Sequence, residues 1–349
     1  MAEGIHGGQV WEAAREQGLE PEAILDFSAN LNPLGPPTGV LRVIREARPG
    51  ILAAYPDSAA PRLRALLCRR HGAPDDTLVL GGGGAALLFL ALRALAPRRV
   101  LVPVPCFREQ PRALAACGAE LVPLPMAGLR LDLAHLDPVR EGCDAVLLTN
   151  PHNPTGQLLG RAELERWVAR HPGVALVVDE AFMDYAPEES LLPGLLARPR
   201  TVILRSLTKF FAMPGLRVGH AFADAATAAR MGDLQESWPV GQLELRAAEA
   251  ALEDGTYEQR SLETFRADGP RFRKALEDLG LIVHPSVAPF VLVELPTPAG
   301  TACAEALLRR GLLVRTCAAW PGLGDRYLRL ALREASDQDR LLEALKPLL

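Results

Sequence analysis

Six cysteines stand among 349 residues, with no C-x-x-C pair and no histidine cluster at ligand spacing. A structural zinc site and a disulfide framework therefore have little footing, and buried reduced thiols are expected. A surplus of one charge is lacking too: Lys+Arg 38 against Asp+Glu 42 gives a net charge of -4, with no basic block. That balance offers nothing to nucleic acid or to an anionic membrane. Any anionic ligand must then be held by a local cluster of cations. The longest apolar stretches, such as Ala85 to Leu92, fall far short of the roughly 20 residues a membrane span needs. The opening Met1-Ala2-Glu3-Gly4 carries no cationic-then-apolar leader pattern, so a cytoplasmic protein is expected. Internal repeats, low-complexity tracts and a G-x-x-x-x-G-K-[ST] phosphate loop are all missing.

What is present is apolar and long. A hydrophobic content of 49% rules out disorder, and the length exceeds what one growing core sustains, so two packed units of unequal size are expected. Between about residues 75 and 225, short apolar runs alternate with amphipathic ones. Thr77-Leu80, Val100-Val104, Ala145-Thr149, Val174-Val178 and Thr201-Arg205 read as strands, whereas Arg62-Arg70, Ala85-Ala96, Arg161-His171 and Ala225-Leu234 have helical spacing. Near-continuous Val/Leu/Ile runs suit strands covered on both faces, which predicts an α/β unit with a mostly parallel sheet wrapped by helices in three layers. After about residue 245 the texture becomes α+β: a long helical stretch Arg246-Leu279, then runs Phe290-Leu295, Leu312-Arg315 and Tyr327-Leu332 around a helix near Ala302-Arg310. The first 45 residues are rich in turns and carry no strong strand, so they are expected to complete the smaller unit and cross the cleft. The expected division is a large unit over 46–245 and a small one from 1–45 and 246–349.

In such a sheet, ligands bind beyond the carboxyl ends of the strands, and the residues found there form a series. Gly81-Gly82-Gly83-Gly84-Ala85-Ala86 opens a helix and brings backbone N–H groups toward a phosphate. A dinucleotide reading also needs an acid about 20 residues on, and Pro105-Cys106-Phe107 closes the next strand without one. Phe107 could stack on a flat heteroaromatic ring or simply pack. Asn153, within Asn150-Pro151-His152-Asn153-Pro154-Thr155-Gly156, offers a side-chain donor in a stretch that is otherwise a turn. Asp179-Glu180 ends an apolar run, where a carboxylate needs a cationic partner such as a protonated ring nitrogen or a structural arginine. Lys209, in Ser206-Leu207-Thr208-Lys209 among Phe210, Phe211 and Met213, would have its amine desolvated and could act as a Schiff-base nucleophile. Ser206, Thr208 and Arg217 would cap a phosphate.

The order glycine loop, aromatic, Asn, Asp, Lys, Arg resembles the fold-type-I, pyridoxal-phosphate-dependent aminotransferase superfamily over essentially the whole chain. The resemblance implies that Asn153 meets the phenolic oxygen of pyridoxal 5'-phosphate, that Asp179 pairs with its ring nitrogen and that Lys209 is the Schiff-base lysine. Ser206, Thr208, Arg217 and the Gly83-Gly84-Ala85 turn would hold the phosphate, with Phe107 at the ring. Tyr55, in Ala54-Tyr55-Pro56-Asp57, matches a tyrosine that reaches the phosphate from a partner subunit, which implies a homodimer.

Further stretches are similar to the threonine-phosphate decarboxylase family of cobalamin biosynthesis, with the histidinol-phosphate aminotransferases as near relatives: His6-Gly7-Gly8, Asp26 to Gly35, Asp179-Glu180-Ala181-Phe182, Arg205 to Phe210 and Arg315-Thr316-Cys317-Ala318. In that pattern His6, Asn30 and Arg315 hold a substrate phosphate and Arg329 the α-carboxylate, roles that suit a planar arginine fork. Gly82, Gly84 and Ala86 stand where the decarboxylases usually carry side chains, and Pro239-Val240-Gly241 replaces a polar partner near Trp238. Phe182 takes the place of a tyrosine that in the aminotransferases hydrogen-bonds the cofactor's phenolic oxygen, which favours the decarboxylase over an aminotransferase of a phosphorylated amino alcohol. A non-catalytic binding module on the same fold is the third reading, and a dehydrogenase built on the Gly81 loop a distant fourth.

Overall fold

A computed structural model describes residues 7–139 and 141–349 of the chain. Its first strand, β1 (Leu25–Asp26), is short. The next seven build one sheet: β2 (Leu78–Gly81), β3 (Arg99–Val104), β4 (Glu120–Pro125), β5 (Ala145–Thr149), β6 (Ala175–Asp179), β7 (Thr201–Ser206) and β8 (Gly219–Ala223). Their order is β2-β8-β7-β6-β5-β3-β4. Every pairing is parallel except those of β8, which runs antiparallel to both β2 and β7.

The mostly parallel α/β sheet read from the sequence is therefore present, with two strands more than the five expected. β4 escaped because Pro123 and Pro125 interrupt it; prolines are tolerated there because β4 is an edge strand. β8 escaped because Gly219, Ala221 and Ala223 have little intrinsic strand preference, and its place between two neighbours supplies the order.

The continuous apolar runs divide by residue parity. Val146, Leu148, Leu176 and Val178 enter one hydrophobic cluster, while Ala145, Leu147, Ala175 and Val177 enter another on the opposite face. Alternation along a strand that is covered on both sides requires this. Helices such as Pro61–His71, Gly84–Leu95 and Arg161–Arg170 supply the covering layers.

The last five strands are β9 (Ile282–Val283), β10 (Phe290–Glu294), β11 (Leu312–Leu313), β12 (Arg315–Thr316) and β13 (Tyr327–Ala331). They form an antiparallel sheet β12-β13-β10-β9, while β11 pairs in parallel with β1. Phe27 packs in the core of these C-terminal elements, and Asn32 donates from Nδ2 to the Phe210 carbonyl at 2.9 Å. The long helical stretch is two helices, Gln242–Leu252 and Gly255–Asp278, because Asp254 turns the chain and caps the second through the Tyr257 N–H at 3.1 Å. Among the described residues no helix is long and apolar enough to cross a membrane, and no group of three His, Cys, Asp or Glu could hold a metal ion.

Candidate active site

Strand register aligns the ends that matter. Thr149 pairs with Asp179, and Asp179 with Leu204, so the loops leaving β5, β6 and β7 start side by side. A cavity of about 400 Å³ lies over them. Its sheet-side wall includes Phe107, Asn153, Asp179, Phe182, Lys209 and Arg217; Asn30 lies beside the N-terminal segment's Ser28; Arg315 and Arg329 come from β12 and β13. Ten of the residues singled out in the sequence, from Asn30 and Ala85 to Arg329, therefore line one space. His6 lies outside the described residues.

Asp179 and Lys209 are the ionisable pair at its floor. Asp179 is pushed up to about 6 by burial, against the pull of the Ala181 N–H, which reaches Oδ1 at 3.0 Å, and of Lys209. The structural arginine that a buried strand-end carboxylate could demand exists, but it serves Glu180 and Asp184: Arg205 Nη1 meets Glu180 Oε2 at 3.0 Å and Nη2 meets Asp184 Oδ1 at 2.8 Å. Asp179 is left with one amide and a face toward the cavity. Burial, then Arg329 and Arg217, lower the Lys209 amine to about 8, with Asp179 opposing them. A lysine so placed has a substantial neutral, nucleophilic fraction near neutrality.

An anion cradle adjoins this pair. Gly83 opens the helix Gly84–Leu95 with φ +95°, and a Cβ there would stand 2.5 Å from Arg217 Nη2. A Cβ on Gly219 of β8 would fall 2.8 Å from the Gly83 carbonyl carbon. Two glycines thus let a helix start, a strand and a guanidinium converge, presenting unpaired N–H groups and positive charge together. Ser206 Oγ and Thr208 Oγ1 lie 2.8 Å apart, both buried. Gly83, Gly84, Ser206 and Thr208 sit behind the cavity wall, whereas Ala85 and Arg217 line it.

The opposite wall carries the arginines. Arg329 donates from Nη1 to Asn153 Oδ1 at 2.7 Å and from Nη2 to the Ser28 carbonyl at 2.8 Å, with its guanidinium over Phe290 and Trp320. Burial lowers it to about 10, so it is still charged at neutral pH. Arg315 stacks over Trp320 at 4.9 Å. Phe182 packs edge-on against Phe290, centroids 5.2 Å apart, and brings no hydroxyl to the cavity. Tyr55 is elsewhere: 77% exposed and stacked on Trp238 at 4.1 Å.

Sequence reasoning passed over Trp320, Arg108, Glu109 and Thr149, which also line the cavity. Arg108 and Glu109 directly follow Phe107 at a strand end, which was a usable signal. Trp320 offered none, because its role is to bridge: its Nε1 donates to the Cys106 carbonyl at 2.7 Å across the cleft.

A half-buried lysine of lowered basicity, a carboxylate facing it, an anion cradle and two buried arginines can together hold a phosphorylated ring and an anionic amine. Residues 22–345 match the family model for aminotransferase class I and II. The chain is 38% identical to a threonine-phosphate decarboxylase of Salmonella typhimurium over 99% of its length and 96% of the relative's. It is 35% identical to a histidinol-phosphate aminotransferase of Pseudomonas aeruginosa, covering 98% and 93%. The crystal structure of histidinol-phosphate aminotransferase from Sinorhizobium meliloti in complex with pyridoxal-5'-phosphate superposes with a TM-score of 0.85 at 26% identity, covering 96% of this chain and 93% of that one. With its fold, its lysine–carboxylate pair and this match in agreement, the chain belongs to the class I and II aminotransferase family of fold-type-I, pyridoxal-phosphate-dependent enzymes.

Proposed function

We propose that the protein decarboxylates L-threonine O-3-phosphate to (R)-1-amino-2-propanol O-2-phosphate in the cytoplasm, as a step of adenosylcobalamin biosynthesis. The observation that carries this reading is the cavity itself, in which Lys209 and Asp179 face two arginines, Arg315 and Arg329, on the far wall. A substrate with two anionic groups besides its amine matches that wall. The 38% identity to a threonine-phosphate decarboxylase supports the same choice, as does the apolar Phe182.

The residues present fit pyridoxal 5'-phosphate. The Gly83-Gly84-Ala85 turn, Ser206, Thr208 and Arg217 would take its phosphate, Asp179 its ring nitrogen, Asn153 its phenolic oxygen and Phe107 its ring face; the close approach that Gly83 alone permits to Arg217 is what such a cradle needs. When bound, the cofactor supplies a carbonyl that condenses with amines and a conjugated ring that accepts electron density from Cα.

This chain's residues do the rest. Asp179 keeps a proton on the ring nitrogen. Arg329, fixed by Asn153 and Ser28, orients the α-carboxylate, and Asn30 with Arg315, joined by His6, holds the phosphate. The carboxylate carbon departs as CO2, and Lys209 Nζ supplies the proton that replaces it at Cα. Tyr55 completes the cofactor site of a second copy, a homodimer supported by the exposed apolar cluster of Leu52, Tyr55 and Trp238. The cleft then lies between a unit spanning 46–245 and one built from 1–45 and 246–349.

A second reading has its own support, the 35% identity to a histidinol-phosphate aminotransferase. Incubating the purified holoenzyme with L-threonine O-3-phosphate separates the two. Release of CO2 without any 2-oxo acid acceptor is the expected result, whereas turnover that depends on 2-oxoglutarate assigns an aminotransferase.

A further inference from the structure

Arg108 follows Phe107 on the loop that leaves β3 and lines the same cavity as Arg315 and Arg329. Its Nη1 is shielded from solvent and has no hydrogen-bond partner. The residue forms no ion pair among the described residues, and Glu109 beside it pairs instead with Arg112. Buried donors normally find an acceptor, and a planar guanidinium in a cavity wall is shaped for a phosphate or a carboxylate.

The place of Arg108 in the fold favours the phosphate. Trp320 Nε1 bonds the Cys106 carbonyl at 2.7 Å, and a Cβ on Gly322 would lie 3.8 Å from Pro105 Cδ. The loop bearing Arg108 is therefore seamed to the loop bearing Trp320, whose ring lies nearer the Arg315 guanidinium, at 4.9 Å, than that of Arg329, at 5.6 Å.

We propose that Arg108 is a specificity-determining ligand for the phosphate of the substrate, gripping it from the β3 loop while Arg315 approaches from β12. The inference rests on the phosphorylated amino acid proposed above. It makes the phosphate subsite a composite of both walls.

The test compares wild-type holoenzyme with Arg108→Gln and Arg108→Lys, reading KM and kcat for L-threonine O-3-phosphate and Ki for (R)-1-amino-2-propanol O-2-phosphate, which keeps the phosphate but lacks the carboxylate. Loss of a charged hydrogen bond to a phosphate is expected to raise KM and Ki together by about 10- to 100-fold in Arg108→Gln, with a much smaller fall in kcat. Arg108→Lys should recover part of both, which a folding defect would not predict. If KM rises while Ki stays put, Arg108 reads the carboxylate and the proposal falls. If neither moves, Arg108 is a bystander and the proposal falls while the substrate reading stands. A wild-type enzyme that neither turns over the amino acid phosphate nor is inhibited by the amino alcohol phosphate overturns both.

Discussion

Asp179 and Glu180 are consecutive, yet they belong to two regions that treat a carboxylate withdrawn from water in opposite ways, Asp179 half-buried and Glu180 fully so. On the underside of the sheet Glu180 is 0% exposed and fully engaged: Arg205, the Ser190 hydroxyl at 2.6 Å and the Leu191 N–H at 2.9 Å all reach it. The network continues through Asp184 to Arg70 and Glu258. Beside it, burial and the neighbouring arginines keep His71 and His220 well below the ordinary histidine range, so both are neutral. On the cleft side, Asp179 accepts only the Ala181 amide. One region is complete without a ligand and serves stability; the other is left incomplete so that a ligand can finish it.

The largest expected effect breaks the cleft side alone. Lys209→Ala should abolish the visible absorbance of bound cofactor and cut turnover by at least about 10²- to 10⁴-fold, while the melting temperature of the cofactor-free protein barely moves. A variant that still turns over at near wild-type rate would remove Lys209 from the chemistry.

Next comes the underside. Arg205→Met leaves Glu180 as a buried charge with no ionic partner and Asp184 with Arg70 alone, and should cost about 3–5 kcal/mol in denaturant unfolding. Specific activity of the protein that remains folded should change far less. A cost below about 1 kcal/mol would mean the network is solvated in solution.

Asp179→Asn sharpens the contrast most finely. The folded protein holds a proton on Asp179 up to about pH 6, against an ordinary value of 3.8. Between those values the folded state binds more protons than the unfolded one, so this carboxylate costs stability increasingly as pH rises and fully above 6. Removing its charge should therefore stabilise the cofactor-free protein at pH 7 by roughly 1–3 kcal/mol, with the gain fading toward pH 4, while activity drops. The buried histidines of the underside have the reverse sign. Their depressed values mean that the unfolded chain binds more protons below about pH 6.5, so their contribution to stability is lost on acidification. Unfolding curves at pH 4 and pH 7 for both proteins check the two signs together.

Much of this layout was readable in advance, for a physical reason. β5, β6 and β7 sit at the centre of a doubly covered sheet, so their sequences are continuous apolar runs that end sharply at Asn150, Asp179 and Ser206. β4 and β8 lacked that signal, since an edge position and small residues leave no such mark. At the site, Lys209, Asp179 and Asn153 were recognisable because each stands at a strand's end or within four residues beyond it. The division of labour between Asp179 and Glu180 was not, because it depends on Arg205 lying one strand away. Arg108 stands just after Phe107 at a strand end, but only the fold shows that the cavity it lines is shared with Arg315, far along the chain.

Trp320 carries a consequence for turnover. Its ring covers both Arg315 and Arg329, while its N–H is tied to the carbonyl of Cys106 on the other wall. One side chain thus both backs the two guanidinium groups and ties the two walls together. Separating the two walls at this seam would cost that hydrogen bond and uncover one face of each guanidinium.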